Sequence, residues 1–87
     1  LAPYPNPFNP GTTLAFDLAS ASHARLEIFD VRGRRVVRVH DGELAAGRHE
    51  FPWQGRDSRG RAVAAGVYLV RFQGDQVTQH HRMTLVR

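Results

Sequence analysis

Apolar and polar residues alternate with a period of two along most of this 87-residue chain. No segment long enough to form a helix repeats with the helical period. Successive side chains of a strand point to opposite faces, so each run predicts one buried face. The predicted strands are 12–18, 24–30, 35–40, 48–53, 66–72 and 77–86, with a brief further candidate at 62–63. Turn signals separate them at Arg32-Gly33, Asp41-Gly42, Ala45-Ala46-Gly47 and Gly74-Asp75. This spacing favours an all-β antiparallel sandwich, although alternation alone does not separate a sandwich from a small barrel.

The apolar residues that share one phase on these strands are expected to form the core. They are Leu14, Phe16, Leu26, Ile28, Phe51, Trp53, Tyr68, Val70, Phe72, Met83 and Leu85. The segment 35–40 carries valine on both faces, so its orientation stays open. Pro52 cannot donate a hydrogen bond to a neighbouring strand, and we therefore expect 48–53 to lie at a sheet edge.

Prolines at positions 3, 5, 7 and 10 force the start of the chain into an extended or turning path. Tyr4 and Phe8 could anchor this segment through apolar contacts. We therefore divide the chain into a proline-rich lead-in, residues 1–11, and a domain, residues 12–87. Because residue 1 is Leu and no signal peptide is recognisable, we expect the chain to be a piece of a longer protein.

The net charge is +4 and every basic residue except histidine is arginine. Arginine clusters suit phosphate, but a complete absence of lysine is typical of a composition bias. Arg25, Arg38, Arg71 and Arg82 fall on predicted strand faces, where charge keeps a sheet soluble. We therefore expect no nucleic-acid partner. The longest apolar run is far shorter than the ~20 residues of a membrane helix, so no membrane span is expected.

Neither a metal site nor a catalytic arrangement is predicted. His80 and His81 are adjacent on a strand and point to opposite faces, and the other histidines lack ligand spacing. Asp57 is a lone carboxylate among arginines, which favours a turn cap over a calcium ligand. The glutamates Glu27, Glu43 and Glu50 are interpreted as solvated, and no serine has a histidine and an acid in a recognisable arrangement. With no cysteine there is no thiolate site. We expect no enzyme, no cofactor and no metal.

Five short motifs occur in order along the chain. They are Tyr4 to Pro10, Asp30 to Arg34, Trp53 to Asp57, Gly66 to Tyr68 and Arg82 to Arg87. Together they resemble the C-terminal sorting domains of proteins exported by the type IX secretion system. They are also similar to the immunoglobulin-like domain of the flagellar hook-cap protein. The resemblance implies an immunoglobulin-like, fibronectin III-like β-sandwich of about seven strands.

The resemblance to sorting domains implies a non-catalytic export address. In that family the folded sandwich follows a cargo domain in the same chain and is recognised by the secretion machinery at the outer membrane. The matching positions are Pro5, Asn6, Pro7, Gly33, Gly66, Tyr68 and Arg82; the family commonly has lysine at the last. The implied location is secreted or cell surface, through the periplasm of a Gram-negative-type bacterium. The proline-rich lead-in and a sequence that stops directly after its last strand favour this address.

Gly33 and Gly66 are expected to serve the backbone. Gly33 is predicted in a turn with positive φ, and Gly66 where a strand begins beside a close approach.

Two alternative functions stay open. One is a hook-cap-like assembly module, whose pattern is matched by Gly47, Trp53, Gly55, Asp57 and Gly60. The other is an accessory adhesion or carbohydrate-binding domain of a secreted enzyme. That function would need exposed aromatic residues, and in so small a domain we expect Trp53, Phe51 and Tyr68 to be core instead.

Overall fold

The computed structural model describes residues 2–5, 7 and 10–86, and this part of the chain forms seven β-strands. They are β1 (Ala2–Tyr4), β2 (Thr12–Leu18), β3 (Ser22–Asp30), β4 (Arg35–Leu44), β5 (Gly47–Trp53), β6 (Gly66–Gln73) and β7 (Thr78–Leu85). No helix occurs in the described residues, and so none that could cross a membrane.

The strands form two sheets that pack face to face. One has the order β1-β2-β5 and the other β4-β3-β6-β7, and every neighbouring pair is antiparallel. Strands β3 and β4, and β6 and β7, are paired hairpins, whereas β2–β3, β4–β5 and β5–β6 connect one sheet to the other. The predicted antiparallel sandwich is confirmed. Pro52 lies on β5, an edge strand as predicted, opposite Thr13 of β2.

The core lies between the two sheets and consists of the residues that alternation placed in one phase. Ten of the eleven predicted core residues are buried, and each contributes roughly 1.5–3 kcal/mol. Phe51 is the exception: it is only partly buried, because β5 is a sheet edge. Its ring still stacks on Phe16, with centroids 5.9 Å apart, and lies 5.1 Å from the ring of His40.

Strand β4 is longer than predicted and runs through Asp41-Gly42, so the expected turn at that pair is wrong. Strand β3 begins early enough for Ala24 to pair with Gly42. The imidazole Nε2 of His23 lies 2.8 Å from Oδ1 of Asp41, which ties the two strands together there. The chain turns instead before Gly47, where φ is +121°. Two register irregularities in the β3–β4 ladder skip Val39 and Val36, and both of these valines, like Val37, pack against the core.

The start of the chain adds a short edge strand to the smaller sheet, with Tyr4 opposite Thr13. Tyr4 is exposed, and its hydroxyl donates a hydrogen bond to the Glu50 carboxylate on β5. Tyr4 was expected to anchor the lead-in through apolar contacts, but its contact with β5 is a hydrogen bond. Phe8 lies outside the described residues, and the boundary between lead-in and domain stays a prediction.

Candidate recognition surface

Most of the predicted sorting positions lie at one end of the sandwich. We call it the motif end: β2, β4 and β6 begin there, and β1, β3, β5 and β7 finish there. Pro5, Pro7, Gly33, Gly66 and Tyr68 all lie at this end, and Arg82 lies nearby on β7. The carbonyl of Pro5 accepts a hydrogen bond from the buried Thr12 hydroxyl at 2.8 Å, which holds the lead-in against β2. Asn6 lies outside the described residues.

Tyr68 supports the motif end from inside. It is 7% exposed, and its hydroxyl donates to the carbonyl of Ala64 at 2.6 Å. Its ring meets Trp53 edge to face at 5.5 Å, and Trp53 is 5% exposed. The Trp53 indole N–H donates to the carbonyl of Arg56 at 2.8 Å. The two aromatic residues thus fix the 54–65 loop through hydrogen bonds to its carbonyl groups. Both are core residues, as predicted, and do not form a binding platform.

The two motif glycines serve the backbone. Gly33 has φ of +83°, and its N–H donates to the carbonyl of Asp30 at 3.0 Å, so the predicted positive φ is confirmed. Gly66 has φ of +150°, and a Cβ built there would meet no atom within 4 Å. The predicted close approach at Gly66 is therefore wrong. Its backbone angle, which L side chains rarely adopt, is what requires glycine.

Four arginines that were predicted on strand faces lie on one surface, the outer face of the four-stranded sheet. They are Arg25, Arg38, Arg71 and Arg82. Cross-strand register establishes this, because residues directly opposite each other lie on the same face. Glu27 of β3 is opposite Arg38 of β4 and Arg71 of β6. Leu69 lies two residues before Arg71 on β6 and therefore on the same face, and it is opposite Arg82 of β7. The outer face therefore gathers several arginines, and Asp41 lies on it as well, 3.8 Å from Arg25 and 3.6 Å from Arg38.

Glu27 is the acidic centre of this face. Its carboxylate accepts hydrogen bonds from Arg71 at 2.8 Å, Arg35 at 3.1 Å and Arg38 at 3.3 Å. Burial alone raises the pKa of Glu27, but the hydrogen bonds from the three guanidinium groups outweigh it and the pKa is lowered. Glu27 is only 3% exposed, so the prediction of a solvated glutamate is wrong. Arginines from three separate sequence positions cover it.

Two apolar side chains lie on the same face towards the motif end. Leu69, 38% exposed, is opposite Phe29 in the register, and the guanidinium of Arg71 lies 4.8 Å above the Phe29 ring. A shallow depression of about 250 Å³ opens between these side chains, Gly33 and His80. We define the outer-face patch as Phe29, Gly33, Leu69, Arg71, His80 and Arg82.

The outer-face patch brings together two predicted sorting positions, Gly33 and Arg82, with residues that the motif comparison did not single out. The sequence did carry a signal for Phe29 and Leu69. Both are large apolar residues out of phase with the core on their strands, which predicts apolar side chains on the outer face of the sheet.

The described residues hold no group of three or more His, Asp or Glu side chains placed to bind a metal ion. His80 lies on the outer-face patch, while its neighbour His81 points the other way, where burial lowers its pKa. Asp57 caps its turn, as predicted: its Oδ1 accepts the backbone N–H groups of Arg59 and Arg61 at 2.9 and 3.0 Å.

Solved structures of two kinds of bacterial protein resemble this domain. FlgD from P. aeruginosa is 28% identical, with a TM-score of 0.66 over 85% of this chain and 58% of that chain. FlgD from Xanthomonas campestris, described as essential for flagellar assembly through hook capping, is 26% identical, with a TM-score of 0.65 over 86% and 55%. PorZ from Porphyromonas gingivalis is 26% identical, with a TM-score of 0.67 over 99% and 11%. It is described as an essential bacterial surface component of the type IX secretion system.

The chain thus spans little more than half of each FlgD structure and a small part of PorZ. No protein with a curated description matches the chain in sequence. The sequence model of the FlgD Ig-like domain family matches residues 6–77, most of the chain. The chain therefore belongs to the FlgD Ig-like domain family, and its sandwich is the immunoglobulin-like fold predicted above.

Proposed function

We propose that this domain is a non-catalytic sorting module that directs a larger protein through the type IX secretion system to the cell surface or the medium. The coarser conclusion, a hook-cap-like or type IX-related immunoglobulin-like module, follows from the family and its structural neighbours. The observation that carries the finer proposal is the outer-face patch, where Gly33 and Arg82 lie beside the exposed Leu69 and the partly buried Phe29.

Strand β7 links this patch to the type IX resemblance. The family match ends at residue 77, just before β7 begins at Thr78. The similarity to PorZ covers 99% of this chain and therefore includes β7. This strand carries His80 and Arg82 to the outer-face patch. The region shared with a type IX surface component thus includes the strand that completes the patch, which supports a recognition role there.

The chemistry of the patch suits a protein partner. Leu69 and Phe29 supply an apolar centre, and Arg71 and Arg82 supply a cationic rim, the arrangement of many protein interfaces. An outer-membrane component of the secretion machinery with an apolar spot and acidic rim would be complementary. The upstream domain of the same chain would be the cargo, passing from the periplasm outwards. We assign the domain recognition only, with no reaction of its own.

A fusion experiment tests the proposal. Residues 1–87 are attached to the C-terminus of a periplasm-targeted reporter, and the reporter is measured in the periplasm, at the surface and in the medium. We expect export in a type IX-competent host and periplasmic retention in the same host without the secretion machinery. Retention in both hosts would contradict the proposal, as would release in both.

The second candidate is a hook-cap-like assembly module, which the family match and the two FlgD structures favour. Under this function the domain would associate with a flagellar hook subunit and would not move a reporter across the outer membrane. Sedimentation of the purified domain with polymerised hook protein distinguishes the two. The carbohydrate-binding alternative loses its support, because Trp53 and Tyr68 are buried.

A further inference from the structure

Two turns of this domain have the same sequence pattern and the same structure. Asp30 to Arg34 and Asp57 to Arg61 both read Asp-X-Arg-Gly-Arg. In each turn, Oδ1 of the aspartate accepts the backbone N–H groups two and four residues later, at 2.9 and 3.0 Å. In each, the aspartate N–H donates to the carbonyl of the last arginine at 2.9 Å. The glycines have matching φ angles, +83° for Gly33 and +79° for Gly60.

The two turns lie side by side at the motif end. The backbone N–H of Ser58, in the second turn, donates to the carbonyl of Val36, just after the first turn, at 3.2 Å. A cleft of about 370 Å³ runs between the turns. Val36 and Val63, both packed against the core, lie along it. The arginines that line the cleft are Arg34 and Arg35 on one side and Arg59 and Arg61 on the other.

The acidic residues of the cleft are committed to their own turns. The backbone hydrogen bond from Arg34 holds the pKa of Asp30 below its usual value, and that from Arg61 does the same for Asp57. Each carboxylate therefore stays ionised and faces backbone N–H groups. Four arginines against two aspartates leave the cleft with an excess of positive charge.

The two sides of the cleft differ in how far their guanidinium groups are already engaged. Arg34 Nε donates to Asp30 at 3.1 Å, and Arg35 donates to Glu27 at 3.1 Å. Arg59 and Arg61 are exposed, and their guanidinium groups make no hydrogen bond or ion pair within residues 2–5, 7 and 10–86. In the second turn, the guanidinium groups of Arg59 and Arg61 therefore keep their N–H donors available, and the planar arrangement of these donors matches the oxygens of phosphate.

We propose that the cleft between the paired turns binds a multiply charged oxyanion of the phosphate monoester or pyrophosphate class. Arg59 and Arg61 are the principal contacts, and Arg34 adds positive charge from the opposite side. The Ser58 hydroxyl supplies a further donor. The ligand could be a soluble phosphate compound or the phosphate of a lipid headgroup, and the chemistry recognised is the same. The cleft adjoins the outer-face patch through the turn that contains Gly33, but the two share no lining residue, and the proposal does not depend on the export proposal.

Titration of the ¹⁵N-labelled domain with inorganic pyrophosphate at low salt tests the site. We expect saturable amide shifts concentrated in the two turns, weakened by added salt. The double variant Arg59→Gln/Arg61→Gln should bind pyrophosphate at least about tenfold more weakly. The control Arg32→Gln/Arg48→Gln removes the same charge outside the cleft, and Arg32 occupies the position in the first turn that Arg59 has in the second. Its affinity should change less than about threefold.

Vesicles identify the source of the anion. Binding to vesicles that contain phosphatidic acid, and not to phosphatidylcholine alone, would support the site with a headgroup ligand. Saturable binding of pyrophosphate without vesicle binding would support it with a soluble ligand. No binding of either kind would overturn the proposal. Equal weakening in the two double variants would also overturn it, since net charge alone would then explain the binding.

The variants are expected to fold, because backbone groups of Arg59 and Arg61 hold the turn and their side chains are exposed. Dispersion of the amide spectrum checks this. If the double variant loses its dispersion, Arg59→Gln is compared with Arg32→Gln in the same titration. An affinity for Arg59→Gln equal to that of Arg32→Gln would then overturn the proposal.

Discussion

The Arg71 guanidinium donates a 2.8 Å hydrogen bond to the Glu27 carboxylate on the outward face of a sheet, and Glu27 is nonetheless buried. Replacing Glu27 with Gln leaves clustered guanidinium groups without their counter-charge. We predict that Glu27→Gln lowers the free energy of unfolding by about 1–3 kcal/mol, measured by urea denaturation at pH 7. Glu43→Gln is the control: that side chain is 77% exposed, and the change should stay within about 0.5 kcal/mol. Equal effects of the two would contradict the burial argument.

The lowered pKa of Glu27 also predicts how this contribution depends on pH. In an unfolded chain the pKa of a glutamate is about 4.3. In the folded domain the pKa of Glu27 lies below its usual value. The stabilisation is therefore complete above the unfolded pKa and is lost as the pH falls through the folded pKa. The difference in unfolding free energy between the native chain and Glu27→Gln should shrink between pH 7 and about pH 3. A constant difference over this range would contradict the lowered pKa, because it requires Glu27 to bind protons equally in the folded and unfolded states.

Trp53 connects the two sheets and the 54–65 loop through its ring and its indole N–H. Trp53→Ala should destabilise the domain by about 3–5 kcal/mol, a large part of the stability of so small a fold. Thermal unfolding followed by circular dichroism measures this. Val31→Ala, at an exposed apolar residue, should shift the midpoint little. A shift of only a degree or two for Trp53→Ala would place the ring outside the core.

Gly33 is predicted to be required for its backbone angle alone. A Cβ there would meet no atom within 4 Å, but φ is +83°. Gly33→Ala should therefore cost about 1–2 kcal/mol in urea denaturation, and Gly33→Asn less, because Asn tolerates this conformation better. Gly42→Ala serves as a control, since φ at Gly42 is outside the left-handed region. Similar losses at Gly33 and Gly42 would mean that the angle is not the cause.

The alternating pattern predicted the strands and the core well because it is a local signal. Leu14 and Phe16, two residues apart, face the same core whatever strand lies beside them. The length of β4 depended on its neighbour. Asp41-Gly42 is a strong turn pair in isolation, but β3 begins early enough to pair with it, and the His23–Asp41 contact reinforces that pairing. The sequence around Asp41 contains none of this information.

The candidate surface was less predictable, for the same reason. Alternation showed that Glu27 faces away from the core, but its burial comes from arginines brought by neighbouring strands. The motif comparison singled out Gly33 and Arg82 separately, and only the β6–β7 register places Arg82 opposite Leu69. A surface patch is a property of strand order, which the local pattern does not encode.

The most direct test of the account is the exported fraction of a reporter that carries this domain with Arg82 changed. Arg82→Gln removes the charge beside Leu69 on the outer-face patch, whereas Arg82→Lys keeps it. Arg48→Gln is the control, an exposed strand arginine on the other sheet. We predict that Arg82→Gln lowers the exported fraction by about tenfold, while Arg82→Lys and Arg48→Gln leave it within about twofold. Undiminished export of Arg82→Gln, with thermal unfolding showing an intact fold, would contradict recognition through this patch.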